Sequence, residues 1–117
     1  MPDVLVAVSD LFFLTRIQAV ALRTGARLES VAVAELPARC IEGSPDLVIV
    51  DLHDAGDVLG AVRQLKAEAR TARIPVVGFY SHVDNDMRAR ALEAGVDQVL
   101  PRSAFTTRLP ELLATRD

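Results

Sequence analysis

The sequence predicts a three-layer α/β domain in which an open parallel sheet of about five strands carries helices on both faces. Three observations lead there. The run PDLVIVDL, residues 45–52, is apolar almost throughout, which suits a strand covered on both sides rather than one with a wet face. The hydrophobic period switches between strand-like and helix-like about every dozen residues, the pattern of repeated βα units. At 117 residues, half of them hydrophobic, the chain has room for one substantial core and reads as a single domain over residues 1–117.

Each element has a local reason. Residues 4–8 are a short apolar strand, and Ser9-Asp10 then offers a helix N-cap. The first helix is expected over residues 10–24, with Phe13, Leu14, Ile17, Val20 and Ala21 on one stripe and Gly25 as its stop. Residues 27–33 alternate as a second, edge strand. A short helix over residues 36–41 takes Pro37 in its first turn and ends at Gly43. Residues 47–52 form the third strand, and Gly56-Asp57 caps a helix reaching residue 72. The Ile74-Pro75 step introduces a fourth strand over residues 74–80. Asp84 is expected to cap the next helix, where Ala89, Ala91 and Ala94 permit close approach to the sheet and Gly95 ends the run. A fifth strand over residues 96–100 and a last helix over residues 107–115, packing Leu109, Leu112 and Leu113, complete the chain. Right-handed crossovers favour the flavodoxin-like strand order 2-1-3-4-5.

Composition narrows the function classes. A net charge of −3 without a long basic run lacks the electrostatic footprint of a nucleic-acid binder. No apolar stretch approaches 18 residues, and no basic segment leads into an apolar one at the start, so neither a membrane span nor a signal peptide is expected and the cytoplasm is the expected location. Cys40 is the single cysteine, which leaves no internal disulfide and no multi-thiolate metal site; it reads as a small packed residue. Lys66 is the one lysine among 13 basic residues, a bias read as genomic rather than chemical.

Asp51 closes the most apolar strand at the carboxyl edge of the sheet, where open parallel sheets place their sites. It could be a reactive carboxylate, or it could cap the strand end or pair with Arg102. His53 and His82 with Asp51 or Asp54 would make a soft-metal cluster, but histidines on the loops of a small protein are more often solvated, and no metal site is expected. Ser81, His82 and Asp84 are too crowded in one loop to form a hydrolytic triad.

PDLVIVDL, IPVVGFYSH (residues 74–82) and ALEAGVDQVLPRS (residues 91–103), in that order and with VLVAVSD (residues 4–10) and Gly25, resemble the receiver domain of bacterial two-component response regulators over essentially the whole chain. The resemblance implies a sheet edge where an aspartate takes a phosphoryl group from a histidine kinase, helped by Mg²⁺, a hydroxyl residue and a lysine. Asp51 matches the acceptor. The acidic pair of the family falls on Val8 and Ser9, leaving Asp10 as the nearby carboxylate. Because Mg²⁺ relies on oxygen ligands and carboxylates above all, binding of the ion is expected to be weak or absent. The charge that develops in transfer would then go unneutralised.

Other family positions depart as well. The hydroxyl residue that closes strand 4 falls on Tyr80; Ser81, one residue on, points to the other face and is no substitute. The lysine falls on Arg102, which keeps the positive charge, is not a neutral replacement, and could still hold the Asp51 carboxylate as an ion pair. The aromatic residue of strand 5 falls on Val99. The loop HDAGD (residues 53–57) is shorter than usual and carries His53 and Asp54 at the rim.

These departures describe an atypical receiver, a pseudo-receiver: not an enzyme, but a phosphorylation-independent protein-binding module in bacterial signalling, needing no cofactor. The alternatives are a divergent receiver still phosphorylated at Asp51 with Asp10 and Asp54 as improvised ligands, and a sensor of small anions with Arg102 as the contact. Candidate partner residues lie on two faces. Helix 1 is expected to turn Phe12 and Leu22 outward beside Arg16 and Arg23. The resemblance implies a second face on helix 4, strand 5 and helix 5, used in the family for dimers and targets, with Arg88, Arg90, Gln98, Phe105, Thr106 and Arg108. Signalling proteins, and a second copy of the chain through that second face, are the expected partners.

Overall fold

The computed structural model describes residues 2–81 and 85–114. The strands are β1 (Asp3–Ala7), β2 (Arg27–Ser30), β3 (Leu47–Asp51), β4 (Val76–Tyr80) and β5 (Gln98–Pro101). The helices are α1 (Leu11–Thr24), α2 (Leu36–Gly43), α3 (Val58–Ala67), α4 (Asn85–Ala94) and α5 (Arg102–Leu113). All strand pairs are parallel, and the order is β2-β1-β3-β4-β5, the flavodoxin-like arrangement. Every residue of the central strand β3 is buried, as its uninterrupted apolar sequence demands.

Strand periodicity divides the core in two. Val4, Val6, Leu47, Ile49, Val77 and Phe79 face α1 and α5, while Leu5, Ala7, Val48, Val50, Leu52 and Val76 face α2, α3 and α4. Helix α1 buries Phe13, Leu14, Ile17 and Ala21, is capped by the Asp10 carboxylate on the Phe13 N–H, and stops at Gly25 with φ of 81°, a conformation that favours glycine. Gly78 is a packing glycine: a Cβ there would lie 2.9 Å from the Leu52 side chain. Cys40 is fully buried on α2, and that burial pushes its thiol up to about 11.

Several boundaries differ from expectation. The second strand stops at Ser30; the Val31 N–H makes a last bond to the Val6 carbonyl before the chain turns through a 3₁₀ segment, Val33–Glu35. The first, fourth and fifth strands each shift by one or two residues. Helix α3 ends at Ala67 rather than residue 72, because the buried Thr71 hydroxyl donates to the Leu65 carbonyl at 2.7 Å and draws the chain into turns. Lys66 secures those turns: its ammonium donates to the carbonyls of Ala72 and Ile74 at 3.2 and 2.8 Å, and to Asp97 at 2.9 Å. Asp97 in turn accepts the Val76 N–H at 2.7 Å, tying the start of β4 to the approach to β5.

A larger difference concerns the last helix, which begins at Arg102, directly after β5, rather than at residue 107. Its buried residues are Phe105, Leu109, Leu112 and Leu113, spaced as one helical stripe. Phe105 is therefore fully buried and not the surface residue expected of it. A start at residue 107 leaves Phe105 in a loop; extending the helix by one turn carries it into the core. Pro110 lies within α5. The expected cap Asp84, and His82, lie outside the described residues.

Candidate functional site

Asp51 ends β3 at the carboxyl edge of the sheet and is 8% exposed. Its Oδ1 accepts the His53 N–H at 2.9 Å, and its carbonyl accepts the Asp54 N–H at 3.0 Å. The chain thus turns tightly over the carboxylate, and His53 lies exposed on that turn. The two further carboxylates of the loop are engaged locally. Asp54 accepts the Gly56 N–H at 2.9 Å, an Asx-type turn, and Asp57 caps α3 through the Gly60 N–H at 3.0 Å.

The position of the family's acidic pair has no acid to offer. Val8 is buried in the cluster under α1 and α5, and Ser9 is exposed. Asp10 is committed twice: one oxygen accepts the Phe13 N–H at 3.1 Å and the other accepts from Arg102 Nη2 at 3.3 Å. The bond from Phe13, with the Arg102 guanidinium adding to it, holds the Asp10 carboxyl below the usual carboxylate range.

Arg102 does not pair with Asp51. It follows β5 directly, and its guanidinium lies 4.2 Å from the centroid of the Phe13 ring and 5.6 Å from that of Phe79. Beneath it Phe13, Phe79 and Phe105 pack together, with centroids 4.9, 5.8 and 4.8 Å apart. Aromatic faces attract the cation, and Asp10 at their edge completes the site, so the arginine turns toward α1. Its Nε–H is buried with no hydrogen-bond partner among the described residues. Among the described residues no cation lies within 4 Å of the Asp51 carboxylate.

The switch positions fall on the other layer. Asp51 stands in register with Phe79, so Tyr80 points to the opposite face, where it is half-buried against the cluster under α2, α3 and α4. Val99 is buried in that same cluster, and Ser81 is an exposed bend residue. Val8, Ser9, Asp51 and His53 therefore share the edge without forming one donor set, and Tyr80 is separated from Asp51 by the sheet.

These residues do not fit a Mg²⁺ site. The ion needs several oxygen donors in near-octahedral geometry. Here one ligand position is a buried valine, Asp10 is held by a cap and an ion pair, and Asp54 by its own turn. Among the described residues no group of three or more His, Cys, Asp or Glu side chains could hold a metal ion.

The partner candidates divide. Phe12 is 90% and Leu22 85% exposed on α1, with Arg16 and Arg23 exposed beside them. Arg88 and Arg90 are exposed on α4, where Arg90 pairs with Asp86 one turn away at 3.5 Å. Gln98 and Arg108 are half-buried and Thr106 is exposed. Sequence reasoning missed the concavity of about 630 Å³ between the start of α1 and the start of α5, lined by Asp10, Phe12, Arg16, Arg102, Ser103 and Thr106. Its signal was the one-turn extension of α5, which brings Ser103 and Thr106 onto a helix beside α1.

No protein-family model matches the chain, and no curated protein matches it. Solved structures do. A response regulator from Hahella chejuensis superposes with a TM-score of 0.84 at 20% identity, over 97% of this chain and 92% of that one. The receiver domain of sensor histidine kinase PA1611 from Pseudomonas aeruginosa PAO1, solved with a magnesium ion coordinated in its active-site cleft, gives 0.83 at 20% identity, over 96% and 93%. A response regulator from Thermotoga maritima gives 0.79 at 18% identity, over 97% and 94%. The chain has the fold of response-regulator receiver domains, and at such identities the likeness concerns the fold. Among the described residues no helix is long and apolar enough to cross a membrane.

Proposed function

We propose that this chain is a pseudo-receiver, a receiver-like domain that binds signalling proteins without being switched by phosphorylation. The observation that carries the reading is the orientation of Arg102. In the place where the family resemblance puts a lysine serving the acceptor aspartate, the cation stacks on Phe13 and pairs with Asp10. Asp51 keeps its family position while, among the described residues, a metal site, a neighbouring cation and the hydroxyl residue are all missing from around it. The aspartate then serves the turn through the His53 N–H, and output depends on which partner is present. Those partners would meet the exposed face of α1 or the face of α4, β5 and α5, where a second copy of the chain could also dock.

The test is an amide NMR titration with Mg²⁺, then with Mg²⁺ and beryllofluoride, a stable mimic of an aspartyl phosphate. The expected result is silence at Asp51, Tyr80 and Arg102. Saturable shifts at those residues that spread into α4 and β5 would overturn the reading and favour a divergent receiver using Asp10 and Asp54 as ligands. Shifts with phosphate or phosphorylated metabolites centred on Arg102 would instead favour an anion sensor.

A further inference from the structure

The segments that leave the carboxyl ends of β1, β2 and β3 border a concavity of about 520 Å³. It lies where the chain reverses its direction across the sheet: β1 stands between β2 and β3, with α1 leading to the one and α2 to the other. In open α/β sheets such a reversal leaves a crevice that takes ligands, and the volume suits a small organic molecule. Val8, Leu14, Val31 and Val33 form its buried lining, none of them more than 8% exposed, and Leu11 stands at its rim, 73% exposed. Asp51 is not part of the lining, so this is a place apart from the family's acceptor position.

The polar part of the lining has one sign. Glu35 and Asp54 bring carboxylates, Ser9 and Ser30 bring hydroxyls, and among the described residues no arginine, lysine or histidine lines the concavity. Among the same residues neither carboxylate has a cation within 4 Å. The turn at Asp54 engages its Oδ1 through the Gly56 N–H, which leaves Oδ2 to accept from another donor. A phosphate or carboxylate ligand would meet two negative charges with nothing to offset them, so anions are repelled. A metal ion would need more ligands than are gathered, since among the described residues no group of three or more His, Cys, Asp or Glu could hold one. A protonated amine needs less: its N–H donors make charge-assisted bonds to carboxylates, while an apolar body is driven onto the valines and leucines.

We propose that this concavity binds a small apolar amine. Its ring or alkyl body would lie on Val8, Leu14, Val31 and Val33 under the cover of Leu11, and its ammonium group would sit between Glu35 and Asp54. Gly56 already lies against the lining, where a Cβ would come within 3.0 Å of the Val33 Cβ. A bound amine would therefore bear on the β3–α3 loop, the same loop that turns over Asp51. Such a site goes beyond the binding of signalling proteins and gives the domain a small-molecule input.

The experiment is an amide NMR titration of the full chain with a set of aryl- and alkylamines, naphthylethylamine and phenethylamine among them, each matched with the carboxylic acid of the same body. The bulkier amines are expected to give saturable shifts at Val8, Leu11, Val31, Val33, Ala34 and Gly56, and their acid counterparts to bind about tenfold more weakly or worse. Asp54→Asn keeps the oxygen that the Gly56 N–H needs. Combined with Glu35→Gln, it should weaken the amines by about tenfold and leave the acids no weaker, with an unchanged thermal melt. Saturation by no amine in the set would overturn the proposal. So would acids that bind as well as amines, shifts centred on another part of the molecule, or indifference to the paired substitution. Beryllofluoride decides a separate matter: silence or shifts at Asp51 leave the amine titration as it stands.

Discussion

At the amino end of the sheet Lys66 spends its three donors on two carbonyls and on Asp97, whose oxygen also takes the Val76 N–H. At the carboxyl end Arg102, with five donors, makes among the described residues one hydrogen bond of 3.3 Å to Asp10, leaves Nε–H buried and unpaired there, and otherwise rests on aromatic rings. Both cations bridge segments far apart in sequence, yet only the first is saturated. Saturation marks a brace, because every lost bond leaves a group without its partner. An under-used guanidinium gives up little when it moves, so the carboxyl end keeps a charge available for other molecules.

That contrast can be broken at several points. Phe105→Ala removes the fully buried ring below Arg102 and should destabilise the fold by about 4 kcal/mol, measured by urea unfolding; a loss below about 1 kcal/mol would mean that the aromatic trio is not the floor of that corner. Lys66→Met, at a side chain only a fifth exposed, should cost about 2 kcal/mol by leaving the Ala72 and Ile74 carbonyls without this donor and Asp97 without its cation. Arg102→Met keeps the stem over Phe13 and should change stability by less than about 1 kcal/mol, the range of a part-exposed pair. An effect of Arg102→Met equal to that of Lys66→Met would erase the distinction.

The smallest effect concerns acid. The Asp10 carboxyl titrates below its ordinary range in the folded chain, so its contribution is fully present above the unfolded value and is lost as pH falls through the lower folded one. Asp10→Asn, which keeps a capping oxygen but no charge, should therefore flatten the acid limb of a stability profile by lowering stability slightly at neutral pH and leaving it nearly unchanged at the acid end. A limb as steep as in the parent chain would place the titrating group elsewhere.

Much of the architecture was legible in the sequence because burial and period coincide. PDLVIVDL could only be a central strand, and the stripe of α1 with Gly25 fixed that helix at both ends. What escaped depended on side chains acting across the fold. Thr71 stopping α3 and Lys66 reaching over to Asp97 are tertiary bonds that no local pattern announces. Phe105 was misplaced because the start of α5 has no side-chain cap to mark it. At the candidate site, Val8, Ser9, Tyr80, Val99 and Arg102 could be assigned to family positions from the sequence alone. The pairing of Arg102 could not: choosing between Asp10 and Asp51 required the aromatic rings brought together from α1, β4 and α5.

Cys40, sealed inside the sheet's α2 side with its thiol pushed up to about 11, has a practical meaning for all of these experiments. Thiolate is the reactive form, and at neutral pH this one is both scarce and out of reach. A cysteine introduced on the outer side of α1, at Leu22 for instance, would be alkylated by a maleimide dye while the native thiol stays silent. A chain that keeps its native thiol can thus carry a fluorophore on the exposed face of α1, and slow labelling of Cys40 itself would time how often the whole domain opens.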